Sequence, residues 1–574
     1  MNDFLAGMIV SILVYLGIGW YAGRKVKHLD DYYVAGRNAP TFLIVGTLVA
    51  SFLSTNAFMG EVGMAYRGHG TLLVILTCLN GVGYLVGALF FGRFLRRSRS
   101  LTAPEFFGRR FLSHRLQALA GLTIVVGLTC YLLAVTWGVS LIVTQVSGVP
   151  YAAAIFITWF GYTSFTMYAG SKGVILTDTI MFVLFVSVAL VAVYFIVDAG
   201  GGWFASVEQL ALYSDKPGII AWHGVVGPGS DWETPLEALA WALILGVAWG
   251  VVVAVSPWQV SRYLMARNEH VVIRSACGAA ITVTLMYLAT MYGAAAINLV
   301  NPAIDPPETA MIWVAMNLMP SIIGAILVSG ILAAGLSSAS TFLSLVGFSV
   351  SNDIFRHSDD PQKQLRSTRY TMLGIGLFVL VLSLVVPQNI FWITYFAGPV
   401  FASSWGIVAF MSIWSKRITE SGAFWGMVAG FAGNIAANLV SLLGGVNLPV
   451  YMDPILLGAA TSFLTVIAVS KTGTVSSQEH AFREQLHHTP EDELNTKEVR
   501  RTLVWPTIIM IVGVVTMVTI AIFYAHPYRA ALESRNLLED APIDGEFALA
   551  IGYGLVLVCA GALMRWGVRK HYIK

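Results

Sequence analysis

Long apolar runs separated by short polar connections dominate this 574-residue chain. The runs are about 20 residues long, the length that a helix needs to cross a hydrocarbon core of about 30 Å. Alternating segments of about 10 residues, which build membrane barrels, are not seen. The pattern therefore predicts an all-α integral membrane protein. We place fifteen transmembrane helices at about 4–23, 40–66, 71–95, 116–146, 151–169, 173–198, 233–255, 272–299, 320–350, 367–387, 389–414, 420–444, 450–470, 504–525 and 545–567.

Composition and charge support this interpretation and orient the chain. Hydrophobic residues make up 57% of the sequence and charged residues only 11%, against about 25% charged in a soluble domain. Because Lys and Arg are kept on the cytoplasmic side, we expect a multi-pass protein of the cell membrane, inner or plasma, with its N-terminus outside and its C-terminus in the cytoplasm. No Lys or Arg is then expected in mid-membrane, and no basic face suggests a nucleic-acid partner. Of the 34 Lys and Arg, only four fall outside: Arg67, Lys216, Arg529 and Arg535.

Motifs for nucleotide hydrolysis or for hydrolytic catalysis are missing from the sequence. None of GxxxxGK[ST], HExxH, GxSxG and GxGxxG occurs, although each provides the phosphate cradle, zinc ligands or nucleophile that its chemistry needs. We therefore expect neither an ATP-driven pump nor an enzyme. The most polar stretch, 471–503, is rich in Glu, His and Gln and is interpreted as a solvated cytoplasmic connector.

Two predicted spans carry dense polar clusters, which are costly in lipid and usually functional. The second span contains ASFLSTN at 50–56 and the ninth contains SSAST at 337–341. Ser, Thr and Asn compete with the helical hydrogen-bond ladder, so the first cluster predicts a broken helix with free carbonyls. In the second, the hydroxyls of residues 337, 340 and 341 share one face and suit a small alkali cation. Ordinary helix packing is the alternative for both clusters.

Two further features stand out in the sixth and seventh spans. Asp178 lies near the cytoplasmic start of the sixth span, where a bound cation is one candidate partner and a helix cap or cytoplasmic water is the alternative. The seventh span contains Trp249 beside Gly250, and then Ser256-Pro257. A glycine and a proline make this helix breakable.

The interrupted second and seventh spans each open a block of five helices. This spacing is typical of a 5+5 inverted repeat with its binding site near the bilayer midplane. The repeats are expected at about 40–198 and 233–414. We divide the chain into an N-terminal extra helix (1–30), an inverted-repeat transport core (31–419) and additional C-terminal helices (420–574).

Five short segments resemble segments of the sodium:solute symporter family, in the same order and spacing. The resemblance extends from about residue 30 to 470. It implies the LeuT-type fold, with sodium as the coupling ion. The segments are DYYVAGR at 31–37, TAPEFF at 102–107, GVILTD at 173–178, AAGLSS at 333–338 and WSKRIT at 414–419.

The resemblance also implies where ions and solute bind. The main sodium site would lie between spans two and nine and use the backbone carbonyls of Ala50, Leu53 and Ala334 with the hydroxyls of Ser337 and Ser338. Some members, such as bacterial sialic acid transporters, have a second sodium site. Its positions would fall here on Asp178, Ser337, Ser340 and Thr341. The solute is expected near Ser54, Thr55, Asn56 and Trp249.

Three positions depart from the bacterial proline transporters, which the seventh span resembles most. Phe52 stands where those carry an acidic residue, Val253 near a usual aromatic, and Met181 where a glutamine often follows T-D. These differences speak against proline and leave the sodium ligands intact. The sequence predicts a sodium-coupled symporter, a functional monomer, importing a small polar solute of the amino-acid, monocarboxylate, vitamin or sugar class by alternating access. The alternatives are a proton-coupled transporter using Asp178 and a non-transporting solute sensor.

Overall fold

A computed structural model describes residues 3–23, 29–355, 361–444, 448–538 and 544–573. Within these ranges the elements are helices joined mostly by short turns, with a longer connection at 212–234. The principal helices are α1 (Asp3–Gly23), α2 (Thr41–Phe52), α3 (Glu61–Met64), α4 (Gly70–Gly87), α5 (His114–Ser147), α6 (Tyr151–Ala199), α7 (Pro235–Val255), α8 (Pro257–Met265), α9 (Glu269–Ala296), α10 (Ser321–Phe348), α11 (Pro361–Val385), α12 (Ile390–Ala397), α13 (Ile407–Trp414), α14 (Glu420–Gly444), α15 (Pro454–Thr472), α16 (Ser477–His487), α17 (Thr496–Ile520) and α18 (Gly545–Tyr572). Shorter helices cover Leu29–Val34, Arg93–Ser98, Ala103–Arg110, Trp203–Ala211, Ala310–Asn317, Pro399–Phe401 and His526–Ser534. Helical turns of the wider π type cover Asn56–Gly60, Ala65–His69, Ala88–Gly92, Ser349–Ile354, Ala402–Gly406 and Ala521–Ala525.

Thirteen helical stretches of the described chain are long and apolar enough to cross a membrane. The predicted all-α, multi-pass architecture is confirmed, but the count of fifteen spans is not. The spans predicted at 151–169 and 173–198 both fall in the 49-residue helix α6, which contains no proline to end it. The span predicted at 40–66 divides in its middle, and its second half continues into the long stretch Asn56–Ser98.

Helix α2 lies at the centre of the bundle. Every residue from Ile44 to Phe52 is buried, because α2 is surrounded by α6, α8, α9 and α10. A helix that is apolar all round is stable only when neighbours cover each face. The helices outside the core pack mainly in pairs, α14 with α15 and α17 with α18, while α1 lies on α6 and α10. The central position of α2 puts its polar cluster among these neighbours.

Two contacts join connections that are distant along the chain. Arg97 forms an ion pair of 2.7 Å with Glu269, and Lys216 donates to the Asn298 side-chain oxygen at 2.7 Å. Each contact joins segments that the charge pattern assigns to the same side of the membrane. Both contacts thus agree with the predicted alternation of the loops.

Candidate functional site

Helix α2 ends at Phe52 although neither proline nor glycine follows it. Ser54 provides the reason, since its hydroxyl accepts the Asn56 amide at 3.1 Å and its carbonyl accepts the Ala57 amide at 3.1 Å. In a continuous α-helix the Asn56 amide would donate to the Phe52 carbonyl and the Ala57 amide to the Leu53 carbonyl. Serine side chains compete with the helical ladder in this way. The predicted break is confirmed, and the Leu53 carbonyl has lost its helical donor.

The Ala50 carbonyl is freed by the same break and faces α10. The Ser54 amide, its helical donor in a continuous helix, donates instead to the Phe52 carbonyl at 2.9 Å. The Ser338 hydroxyl lies 3.5 Å from the Ala50 carbonyl as a donor. Ala334 is buried one turn before Ser338 on the same face of α10. The two polar clusters that the sequence singled out therefore meet at this point.

Asp178 is fully buried beside the two clusters, at 0% exposure. The Ser337 hydroxyl donates to its Oδ1 at 2.6 Å, and the Thr47 hydroxyl donates to its Oδ2 at 2.5 Å. Arg262 Nη2 lies 3.5 Å from the same Oδ2, with its side chain only 2% exposed. A cation of the protein itself therefore lies beside Asp178, where the charge pattern predicts no Lys or Arg and the sequence offers a bound cation as one candidate partner. The partner of Asp178 in the structure is a guanidinium.

A second helix break places Arg262 inside the protein. Ser256 adopts an extended conformation with ψ 144°, as expected for the residue before Pro257. Helix α8 then starts at this proline with all nine of its residues buried. The charge pattern had counted Arg262 as a cytoplasmic loop residue because it follows an apolar run. The short helix instead turns it towards α10.

The four residues predicted for a second sodium site lie around this guanidinium. Arg262 Nη2 donates to the Thr341 hydroxyl at 2.5 Å, and Thr341 and Asp178 are thus bridged by one side chain. The Ser340 hydroxyl donates to the Ser337 carbonyl at 2.9 Å within α10. The arrangement brings suitable oxygens together. It also supplies them with a positive charge from the protein.

The predicted solute residues leave three polar atoms with no hydrogen-bond partner among the described residues. The Thr55 hydroxyl, the Asn56 side-chain oxygen and the Trp249 indole nitrogen are all buried and unpaired. Buried polar groups are nearly always hydrogen-bonded, so unpaired atoms next to a helix break indicate a place where a ligand binds. The hydroxyl of Ser54, by contrast, is used within the turn.

Sequence analysis did not single out Glu61, although it is a carboxylate within the predicted span 40–66. The structure buries Glu61 in α3, five residues after Asn56. The side-chain Nδ2 of Asn56 donates to Glu61 Oε1 at 3.1 Å. The hydroxyls of Tyr287 and Tyr395 also donate to this carboxylate. A glutamate inside an apolar span was the available signal, because such residues are expensive in lipid and usually functional.

A broken helix whose free main-chain carbonyl faces a hydroxyl-bearing helix, together with a second broken helix, is typical of an ion-coupled secondary transporter. The family model for the sodium:solute symporter family matches residues 32–430. The chain belongs to this family. It is therefore a membrane transporter and not an enzyme, sodium is its coupling ion, and a small-molecule solute is its cargo.

Relatives and a solved structure agree with this assignment. The high-affinity proline transporter PutP of Bacillus subtilis is 25% identical over 475 residues, covering 80% of this chain and 96% of its own. The sodium/pantothenate symporter of Escherichia coli is 22% identical, covering 75% of this chain and 89% of its own. A Na⁺-coupled sialic acid symporter in a substrate-bound outward-open state has a similar fold, with a TM-score of 0.69, 19% identity and coverage of 83% and 99%. The LeuT-type fold follows from this similarity.

Proposed function

We propose that this symporter imports a small polar solute by alternating access, with sodium bound between the α2 break and α10. The single observation that supports this most is the contact of Ser338 with the Ala50 carbonyl, at the end of a helix whose last carbonyls lack helical donors. Main-chain and hydroxyl oxygens are hard ligands of the kind that small alkali cations prefer. The proposed ligands are the carbonyls of Ala50, Leu53 and Ala334 and the hydroxyls of Ser337 and Ser338.

The solute is proposed to bind beside the same break. Ser54, Thr55 and Asn56 belong to the turn that follows α2, and Trp249 lies on the second interrupted helix. Three of these four residues carry the unpaired atoms described above. Sodium and solute would thus share one broken segment, through which the occupancy of one site can influence the other.

Membrane orientation and assembly complete the proposal. The N-terminus is placed outside and the C-terminus in the cytoplasm, in a chain that works as a monomer within the lipid bilayer. Support comes from the ion pair between Arg97 and Glu269, because the charge pattern assigns both of their connections to the cytoplasmic side. The domain division at 31–419, with repeats at about 40–198 and 233–414, is retained as a proposal.

A single sodium ion provides enough energy for useful accumulation. A charge crossing 100 mV supplies about 2.3 kcal/mol, and a tenfold gradient adds about 1.4 kcal/mol. Together these amount to about a 500-fold solute gradient. A second sodium at Asp178, Ser337, Ser340 and Thr341 stays a prediction. Arg262 competes with it for the same position.

The sodium site is tested by following the melting temperature of the purified protein as sodium replaces potassium at constant ionic strength. Ser338→Ala should raise the sodium concentration for half-maximal stabilisation about tenfold, the effect of about 1.4 kcal/mol. Ser344→Ala is the matched control, because the Ser344 hydroxyl donates within its own helix, to the Thr341 carbonyl at 2.9 Å. An unchanged midpoint in Ser338→Ala would show that the sodium site is misplaced.

A further inference from the structure

Glu61 has no positively charged partner among the described residues. Its side chain is 6% exposed, and no ion pair within 4 Å joins it to Lys, Arg or His in the described part of the chain. The other carboxylate buried in this region, Asp178, has the guanidinium of Arg262. An isolated buried charge is costly. The contrast indicates that the positive charge for Glu61 comes from outside the protein chain.

The hydrogen bonds to Glu61 all point toward the carboxylate. Its two oxygens accept hydrogen bonds from three donors, which are the side-chain amide of Asn56 and the hydroxyls of Tyr287 and Tyr395. An ionised carboxylate is only an acceptor, so this set suits the charged form. All three donors are neutral. They orient the carboxylate but bring no positive charge to it.

Four aromatic side chains and Glu61 form a closed series of contacts beside the α2 break. We name this arrangement the Glu61 ring; its members are Phe52, Trp249, Tyr395, Glu61 and Tyr287. The ring centroids of Phe52 and Trp249 are 6.3 Å apart, those of Trp249 and Tyr395 5.3 Å, and those of Phe52 and Tyr287 6.5 Å. Both tyrosines reach Glu61 through their hydroxyls, which completes the circuit.

Each member of the Glu61 ring has a chemical reason to attract a cation. The faces of Trp, Tyr and Phe attract ammonium groups through their negative π surface, and aromatic cages recognise substituted ammonium in this way. A carboxylate adds a full negative charge and a strong acceptor for an N–H donor. The unpaired Asn56 oxygen and the unpaired Trp249 indole nitrogen adjoin the ring, so it also offers an acceptor and a donor for neutral parts of a solute.

We propose that the transported solute carries a positively charged amine or ammonium group, which binds against Glu61 within the Glu61 ring. This proposal rests on the proposed solute position beside Trp249 and names the chemical class of its ligand. The monocarboxylates and neutral sugars that the sequence left open are then excluded. Amines and zwitterions with an accessible ammonium group remain.

A matched set of two-carbon probes tests the proposal on the full chain in detergent, at pH 7.5 and a fixed sodium concentration. Ethanolamine, ethylene glycol and glycolate have similar size and differ in bearing an amine, a hydroxyl or a carboxylate, and choline adds a trimethylated ammonium. We expect ethanolamine or choline to raise the melting temperature, while ethylene glycol and glycolate do not. Glu61→Gln should weaken the ammonium probe about tenfold or more, as expected for losing a bond to a charged group.

Two further variants keep the result interpretable. Glu61→Asp retains the charge and should keep the preference for ammonium with lower affinity, which covers the case in which Glu61→Gln fails to fold. Glu237→Gln removes a half-buried carboxylate at the first turn of α7 and should leave the ammonium response unchanged.

Sodium titration in the same samples separates this proposal from the proposed function. If sodium stabilises the protein and no ammonium probe does, the Glu61 proposal is overturned and the symporter proposal stands. If Glu61→Gln abolishes stabilisation by sodium itself, Glu61 is a sodium ligand and the ammonium assignment is wrong. Equal responses to ethanolamine and ethylene glycol would also overturn it.

Discussion

Removing the charge of Arg262 should allow an additional sodium ion to bind beside Asp178. Arg262→Gln keeps a donor for Thr341 but leaves Asp178 without its positive partner. At the observed 3.5 Å and an effective dielectric constant of about 20, the lost attraction is about 5 kcal/mol. Measurements on other buried pairs, in which one partner was removed, give about 3–5 kcal/mol. The variant should therefore be clearly destabilised in the absence of sodium.

Sodium can replace the lost guanidinium because the surrounding oxygens remain in place. Asp178 and the hydroxyls of Ser337 and Thr341 already lie together. At a sodium concentration of 100 times the dissociation constant, binding restores about 2.7 kcal/mol. The melting temperature of Arg262→Gln, measured in sodium against potassium at equal ionic strength, should rise more steeply with sodium than that of the unaltered protein. Sodium-driven uptake should likewise become more sigmoidal.

The double variant Arg262→Gln with Asp178→Asn supplies the control. With both charges removed, no buried charge needs a counter-ion, so its response to sodium should return to that of the unaltered protein. The reasoning is refuted if Arg262→Gln shows no greater sodium stabilisation than the unaltered protein. It is equally refuted if the double variant keeps the additional response, since the second ion would then bind elsewhere.

Two further predictions concern other parts of the molecule. Gly398→Ala should lower the free energy of unfolding by about 1–3 kcal/mol, the usual effect of overpacking, because the new methyl would lie 2.6 Å from the Trp249 ring. Thermal melts should show this loss. Gly374→Ala is the control, since its methyl meets nothing within 4 Å. Burial raises the pKa of Glu493 from 4.5 to about 7, so the folded state keeps a proton that the unfolded state releases, and stability that is full below pH 4.5 is lost as the pH rises toward 7. Trypsin should thus cut the connector 471–503 faster at pH 8 than at pH 6, and a Glu493→Gln variant with the same pH dependence would contradict this.

Local sequence chemistry was sufficient to predict both helix breaks. Ser54 and Asn56 carry the side chains that interrupt a helix, and Pro257 forces an extended residue before it. The meeting of α2 with α10 was implied by the resemblance to the sodium:solute symporter family, which places the main sodium site between these two spans. The helix breaks themselves depend on residue types at short range. They could therefore be recognised without the three-dimensional structure.

Features that depend on how a helix turns after a break were not predicted. Arg262 follows an apolar run, which is how a loop arginine is usually placed, and only the direction of α8 shows that it faces Asp178. Glu61 was passed over because its partners, Tyr287 and Tyr395, are more than 200 residues away along the chain. Tertiary contacts decide both of these cases. The two spans joined in α6 are a different case, because this helix lacks a proline that would separate them.

Neighbouring serines on α10 make two positions of the protein mechanically inseparable. Ser337 holds the Asp178 carboxylate while Ser338, one peptide bond away, faces the Ala50 carbonyl. A shift of α10 that weakens the hydrogen bond from Ser337 to Asp178 should also change the contact of Ser338 with the Ala50 carbonyl. Thermodynamic reciprocity requires this coupling to act in both directions. A variant that changes the charge beside Asp178 is therefore expected to alter the contact between Ser338 and the broken end of α2. In return, the release of an ion from the broken end of α2 would alter the hydrogen bonding of the Asp178 carboxylate.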